Sequence, residues 1–418
     1  MIEEISLVIT ALFFLVVLSY YTLLFLPRKQ EKKEKHFTSI SVLIPARNEE
    51  NHLAECLDAV LAASWKGKKQ IIVINDGSID NTGNIAAQYK KKGVLVLQTT
   101  HIGKSAALNY ALQHATGELV AVVDADSVIE KDALVLLQQE VSKKNIAAAT
   151  GAVLVKNRKQ GVCIWAHIEQ LYNSMIRMIF SKINANITTP GPLSVYRKDA
   201  LLAIGGFSTQ GYSEDVDVTI RLIRAGYQIG FNHKARSHTV IPADRKGFFR
   251  QRIRFAKGML FVFKKHVQLK KRAIDLYTLP LLIFTYIQGV VMGVITIYQI
   301  LSGYYAYFFA KGMYFNLAVA KFFFEWFSFV GYFKWAYHVF TGASPLTALA
   351  VLGICATALT YPLYLFAILT FDKKIDIWHA LALFFIFPFW MLNMVIYITN
   401  LPEFFKKEQY NRWKKNEP

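Results

Sequence analysis

Two aspartates close an apolar run that reads Glu-Leu-Val-Ala-Val-Val-Asp-Ala-Asp-Ser-Val-Ile-Glu, from Glu118 to Glu130. A buried strand has no internal use for carboxylates. On an extended chain, residues two apart share a side, so Asp124 and Asp126 are expected to aim at one point. They either cap the segment that follows or hold a cation. Two earlier apolar runs also end in polar clusters, Pro45-Ala46-Arg47-Asn48-Glu49 and Asn75-Asp76-Gly77-Ser78. One such cluster could be a helix cap. Three in succession argue for a shared site.

The elements that must position these groups alternate in type. Strands are expected at 39–45, 70–75 and 119–123, with an extended run at 94–98. Helical spacing is expected at 51–63, 80–91 and 104–114. Such alternation predicts βαβ units and a parallel sheet, which binds ligands at the carboxyl ends of its strands. No G-x-G-x-x-G or Walker pattern opens these helices, which argues against dinucleotide and P-loop chemistry.

The chain of 418 residues is 54% hydrophobic and carries a net charge of +19. Uncharged runs, setting His338 and His379 aside, cover 5–27, 276–310, 335–371 and 377–402, each longer than the ~20 residues a spanning helix needs. A fifth candidate, 313–333, carries Lys321 and Glu325 four apart, where they could pair. The first run is not read as a signal peptide, because its start is acidic and no small-residue cleavage site follows. Basic clusters at Arg28, Lys29, Lys32, Lys33 and Lys35 and at Lys406, Lys407, Arg412, Lys414 and Lys415 are expected on the cytoplasmic side. That agreement requires an even number of spans after the hydrophilic block, and four are counted. Much of the positive charge flanks apolar segments and suits lipid headgroups better than nucleic acid, so no nucleic-acid partner is expected. Cys56, Cys163 and Cys355 have no metal-ligand spacing. His101, His167, His233 and His238 share none either and are read as structural or surface residues.

"PARNE" (45–49), "NDGS" (75–78), "GKSAALN" (103–109), "DAD" (124–126), "GYSEDVD" (211–217) and "QRIRF" (251–255) occur in an order that resembles the membrane-embedded family 2 glycosyltransferases. The likeness covers about 36–270. "SEDVD" looks most like poly-β-1,6-N-acetylglucosamine synthases, and "GPLSVYR" (191–197) like hyaluronan and chitin-oligosaccharide synthases. The resemblance implies an α/β, GT-A-like nucleotide-sugar-binding domain inserted between transmembrane helices, with amphipathic interfacial helices. The expected divisions are an anchor and basic linker (1–35), the catalytic domain (36–245), an interfacial region (246–275), a membrane bundle (276–402) and a basic tail (403–418). A second interfacial helix is expected at 161–183.

Residue by residue, the resemblance implies that Pro45, Arg47, Glu49, Asp76, Lys104, Asp124 and Arg254 bind a UDP-sugar. Asp124 and Asp126 would hold Mg²⁺ or Mn²⁺ against the diphosphate. Asp215 would be the base, beside Glu214. Asp217 lies two residues on and turns about 200° away in a helix, so it is left out of the site. Gln251 and Phe255 would meet the acceptor; Phe255 stands where the family has Trp and keeps an apolar face without the indole N–H. Asn75 replaces the first aspartate of the family's D-D-G.

The expected function is an inverting, metal-dependent transferase that uses a UDP-sugar, UDP-N-acetylglucosamine by preference, to elongate a β-linked polysaccharide coupled to export. The alternative is a single transfer to a membrane lipid acceptor; a transporter with a degenerate domain is a third class. Expected partners are the donor, a growing glycan or lipid acceptor, membrane lipids and an accessory membrane or export subunit. The expected location is the plasma membrane, multi-pass, with a cytoplasmic catalytic domain.

Overall fold

The computed structural model describes residues 2–28, 34–268 and 270–406. Lys29, Lys32, Lys33, Lys407, Arg412, Lys414 and Lys415 therefore lie outside the described residues. Helix α1 (Ile2–Phe25) leads to a domain built from β1 (Ser39–Ala46), α2 (Leu53–Ala62), β2 (Lys68–Asp76), α3 (Thr82–Gln88), β3 (Leu95–Thr99), α4 (Lys104–His114) and β4 (Leu119–Val122). There follow β5 (Ser127–Ile129), α5 (Ala133–Val141), β6 (Ile146–Val155), α6 (Cys163–Ser181), β7 (Ser194–Arg197), α7 (Lys198–Ala203), α8 (Glu214–Arg224), β8 (Gln228–Thr239) and α9 (Arg245–His266). The C-terminal third is helical: α10 (Leu279–Tyr307), α11 (Leu317–Phe327), α12 (Phe329–Phe340), α13 (Ala348–Phe371), α14 (Ile377–Phe384) and α15 (Ile386–Asn400).

The eight strands form one sheet in the order β3-β2-β1-β4-β7-β6-β8-β5. The first four in that order run parallel, as the alternation predicts. The second half is mixed: β7 runs antiparallel to both β4 and β6, and β5 antiparallel to β8. Strand order reverses at β1, between β2 and β4, and a crevice opens outside the carboxyl ends at such a point. β1 is buried almost throughout, which explains its unbroken apolar reading.

Helix α6 buries Ile168, Leu171, Met175 and Ile179 in one cluster with Leu363, Ala367 and Ile368 of α13 and with Leu154 of β6. Its amphipathic pattern thus serves a seam between the sheet and the apolar helices. Lys182, just past it, donates to the carbonyls of Leu23, Leu24 and Leu26 at 2.8–3.0 Å. These carbonyls lie at the end of α1 and just past it, where no helical N–H reaches, so one ammonium ties the first helix to the domain.

Among the described residues, three helices are long and apolar enough to cross a membrane: Ile2–Phe25, Ile274–Lys311 and Ala348–Phe371. Two expectations need correction. The uncharged run 335–371 holds one such helix, Ala348–Phe371, but is not helical throughout, because Gly342 at φ 76° lies in the turn between α12 and α13. The run 313–333 is not one helix either. Ser328 is extended (φ −122°, ψ 165°) and separates α11 from α12, each shorter than a bilayer core requires. Glu325 pairs with Lys334 at 2.8 Å, not with the expected Lys321. The run 377–402 forms a pair of helices bent by 56°.

Candidate active site

The three polar clusters do gather at the carboxyl edge of the parallel strands, and several also brace the loops around them. Asp76 is buried. Its carboxylate accepts from Thr99 Oγ1 (2.7 Å), Ile102 N (2.8 Å) and Gly103 N (2.9 Å). It therefore holds the 99–103 loop that delivers Lys104. Gly103, at φ 90°, permits the turn into α4 that a side chain would strain. Buried Arg47 donates from Nη1 to the carbonyls of Asp76 (3.0 Å) and Gly77 (3.2 Å), bracing the end of β2. Pro45 lies within β1 beside Ile74, and Glu49 is buried with its backbone N–H donating to Thr82 Oγ1 at 2.7 Å.

Asp124 and Asp126 do not lie on an extended segment. Ser127 N donates to Asp124 O at 3.0 Å, so the chain turns between β4 and β5. The turn, not strand alternation, sets where the two carboxylates stand. Asp126 Oδ1 accepts from the hydroxyls of Ser127 (3.2 Å) and Thr239 (3.3 Å). Burial, followed by the charges of Asp126, Asp124 and Glu49, pushes the Cys56 thiol well up, which places that thiol in the field of all three carboxylates.

Lys104 is the hub. Its Nζ stands 2.8 Å from Asp124 Oδ1 and 2.9 Å from Glu214 Oε1. Burial alone would depress this ammonium, but the two carboxylates outweigh it and raise its pKa. Gly191 closes over the pair: a Cβ there would sit 2.6 Å from Asp124 Oδ2 and 2.7 Å from Lys104 Nζ. That requirement was invisible in "GPLSVYR", where the glycine has no unusual neighbour in sequence.

Glu214 and Asp215 occupy the first turn of α8, where the helix N-terminus favours negative charge. Their environments split them. Burial would raise Glu214, but Lys104 holds it below the usual carboxylate range. Burial and the neighbouring Glu214 push Asp215 up, to about 6. Its backbone carbonyl is held by Thr219 Oγ1 (2.5 Å) and Thr189 Oγ1 (3.4 Å), and Thr189 bonds in turn to Tyr196 Oη (2.7 Å). Buried Arg177 of α6 lies within the field of Asp215, and its Nε has no hydrogen-bond partner among the described residues.

Gln251, Arg254 and Phe255 come from α9. Gln251 Oε1 is buried without a partner among the described residues. Arg254 lies with its guanidinium carbon 5.7 Å from the Phe255 ring centre and acts electrostatically on Glu214. Phe255 is 44% exposed.

A second cluster escaped the sequence reading because its members come from distant segments. Asp372 Oδ2 meets Arg158 Nη1 (2.6 Å), His379 Nε2 (3.0 Å) and His167 Nε2 (3.2 Å). His167, read as structural, is buried here, and Asp376 pairs with Arg158 at 2.8 Å. The Arg158 guanidinium already neutralises the carboxylates, so this is a salt-bridged clasp between α13–α14 and the domain.

A mixed sheet whose parallel half ends in a carboxylate-and-lysine site, flanked by apolar helices, defines a GT-A-like glycosyltransferase. The chain belongs to glycosyl transferase family 2, and residues 41–205 match that family. It is 30% identical over 284 residues to a probable glycosyltransferase, YdaM, of Bacillus subtilis, covering 63% of this chain and 67% of that protein. It is 30% identical over 235 residues to the poly-β-1,6-N-acetyl-D-glucosamine synthase of Staphylococcus epidermidis, covering 54% of this chain. The match spans little more than half of that synthase, 56% of its length. Among solved structures, the mannosyltransferase PcManGT from Pyrobaculum calidifontis, in complex with GDP-Man and Mn²⁺, shares the fold. The TM-score is 0.59 at 21% identity, over 90% of this chain and all of that one.

Proposed function

We propose that the protein is a membrane-bound, inverting glycosyltransferase that transfers N-acetylglucosamine from UDP-N-acetylglucosamine to a growing β-linked glycan. The observation that carries this reading is the Lys104 bridge, which joins the carboxylate at the end of β4 to the acidic pair on α8. A leaving diphosphate and an attacking hydroxyl need such groups on adjacent sides of one crevice. The likeness to poly-N-acetylglucosamine synthase favours the donor and the polymer.

Asp215 acts as general base toward the acceptor hydroxyl, and its raised pKa suits proton abstraction near neutrality. Arg254 and Lys104 meet the diphosphate, Arg254 by bidentate hydrogen bonds. Arg47 and Asp76 brace the nucleotide end, while Gln251 and Phe255 face the acceptor. Asp124 and Asp126 would hold Mg²⁺ or Mn²⁺, whose chemistry is to neutralise charge developing on the leaving diphosphate.

The membrane arrangement belongs to the same proposal. The clasp ties the start of α14 to Arg158 of the domain, and Glu403, beyond α15, pairs with Lys257 of α9 at 3.1 Å. A segment anchored to one domain at both ends does not cross. We therefore assign three spans, α1, α10 and α13, with α14–α15 lying along the cytoplasmic face. Two spans after the catalytic block keep the parity that the basic clusters require.

The test is purified full-length protein offered a panel of UDP-sugars with Mg²⁺ or Mn²⁺, with UDP release and product size measured. UDP release from UDP-N-acetylglucosamine, abolished by chelator and by Asp126→Asn, and a product of many sugars are expected. A single-sugar lipid product would favour transfer to a lipid acceptor, and full activity in excess chelator would remove the metal.

A further inference from the structure

Asp217 shares the "SEDVD" motif with Asp215 but faces away from it, and the site described above does not use it. It is fully buried on α8, where Oδ1 meets His266 Nε2 at 2.9 Å and Lys265 Nζ at 2.7 Å. Its other oxygen accepts from Arg221 Nε at 2.7 Å. Arg221 in turn donates to the carbonyls of Ile204 and Gly206, both at 2.6 Å. His266 and Lys265 end α9, the helix that carries Arg254.

The proton on His266 is fixed by its neighbours. Arg224 has only N–H groups to offer, and its Nη1 stands 3.1 Å from His266 Nδ1, so Nδ1 accepts. Nε2 then carries the hydrogen and donates to Asp217. A buried carboxylate with three directed donors holds one arrangement far better than an apolar contact would.

A second contact sets the other coordinate. Gly258, one turn beyond Arg254, lies against Ser213, the residue that opens α8, with no room for a side chain. Gly211 has the Phe261 ring against it in the same way. Along α9, residues 258, 261 and 265–266 therefore meet 213, 211 and 217 in two separated places. The two helices cannot slide without breaking the buried ion pair.

We propose that Asp217, with His266 and Lys265, is a positioning device that fixes α9 on α8 and so sets Arg254 relative to the Asp215 base. This rests on the site reading above. Asp217 touches neither donor nor acceptor; it acts through Arg254.

A double-mutant cycle tests it on full-length protein in detergent, with UDP-N-acetylglucosamine and Mn²⁺ and with Asp215→Asn as a control. Asp217→Asn should lower donor kcat/KM by about 10²-fold, the cost of roughly 1 Å of misplacement. In an Arg254→Ala background the same substitution should cost almost nothing further. His266→Ala should repeat the loss and show the same non-additivity, while His266→Gln, whose amide can still donate to Asp217, should retain most activity. The His266 and Lys265→Met variants complete the cycle from the α9 side if Asp217→Asn does not fold. Additive losses, or full activity in Asp217→Asn and His266→Ala, would overturn the proposal. Full activity in Asp215→Asn and Arg254→Ala would instead overturn the site reading on which it rests.

Discussion

Lys104 Nζ and Glu214 Oε1 meet at 2.9 Å, joining the start of α4 to the start of α8 across the mouth of the sheet. The same ammonium reaches Asp124 at 2.8 Å, so one cation balances two mostly buried carboxylates. Electrostatics thereby assemble the crevice before any ligand arrives. An anionic diphosphate entering it can draw on the same lysine.

Lys104→Met should therefore damage both stability and binding. Two buried acids lose their counter-charge, and breaking such a pair costs about 3 kcal/mol. Thermal unfolding in detergent should shift downward, and UDP affinity should fall at least tenfold. Unchanged melting and UDP binding would show that the bridge is incidental.

A base with a pKa near 6 gives the rate a definite pH dependence. Asp215 must be ionised to accept a proton, so kcat should be level above that value and fall about tenfold per unit below it. Glu214 is held ionised to lower pH by Lys104 and should not contribute to this limb. A rate unchanged down to pH 5 would mean another group takes the proton.

Three spans with α14–α15 on the cytoplasmic face make a topological prediction. A reporter fused after Lys406 should be cytoplasmic. A cysteine introduced at Gly312, at the far end of the Ile274–Lys311 helix, should be labelled only from outside. Labelling of both positions from one side would mean that α10 does not cross or that α14–α15 does.

Local pattern carried much of the domain. Lys104–His114 forms the expected helix, and β1, β2 and β3 begin and end within two residues of their predicted runs. What escaped was set by tertiary contact. The turn between Asp124 and Asp126 comes from a backbone hydrogen bond that alternation does not encode. Spacing does not suggest that Asp76 also holds the 99–103 loop through three hydrogen bonds. Hydropathy located the apolar runs but not the breaks at Ser328 and Gly342, which depend on backbone conformation. The Asp217–His266 pair and the Arg158–Asp372 clasp join residues too far apart in the chain for spacing to suggest them.

Asp215 is the proposed base of the UDP-sugar transfer. The most direct measurement is single-turnover transfer by Asp215→Asn, alongside UDP binding to the same preparation. UDP affinity should stay close to that of the unaltered protein, with transfer slower by roughly 10²–10⁴-fold. Undiminished transfer, or a collapse of UDP binding that by itself explains the loss, would contradict it.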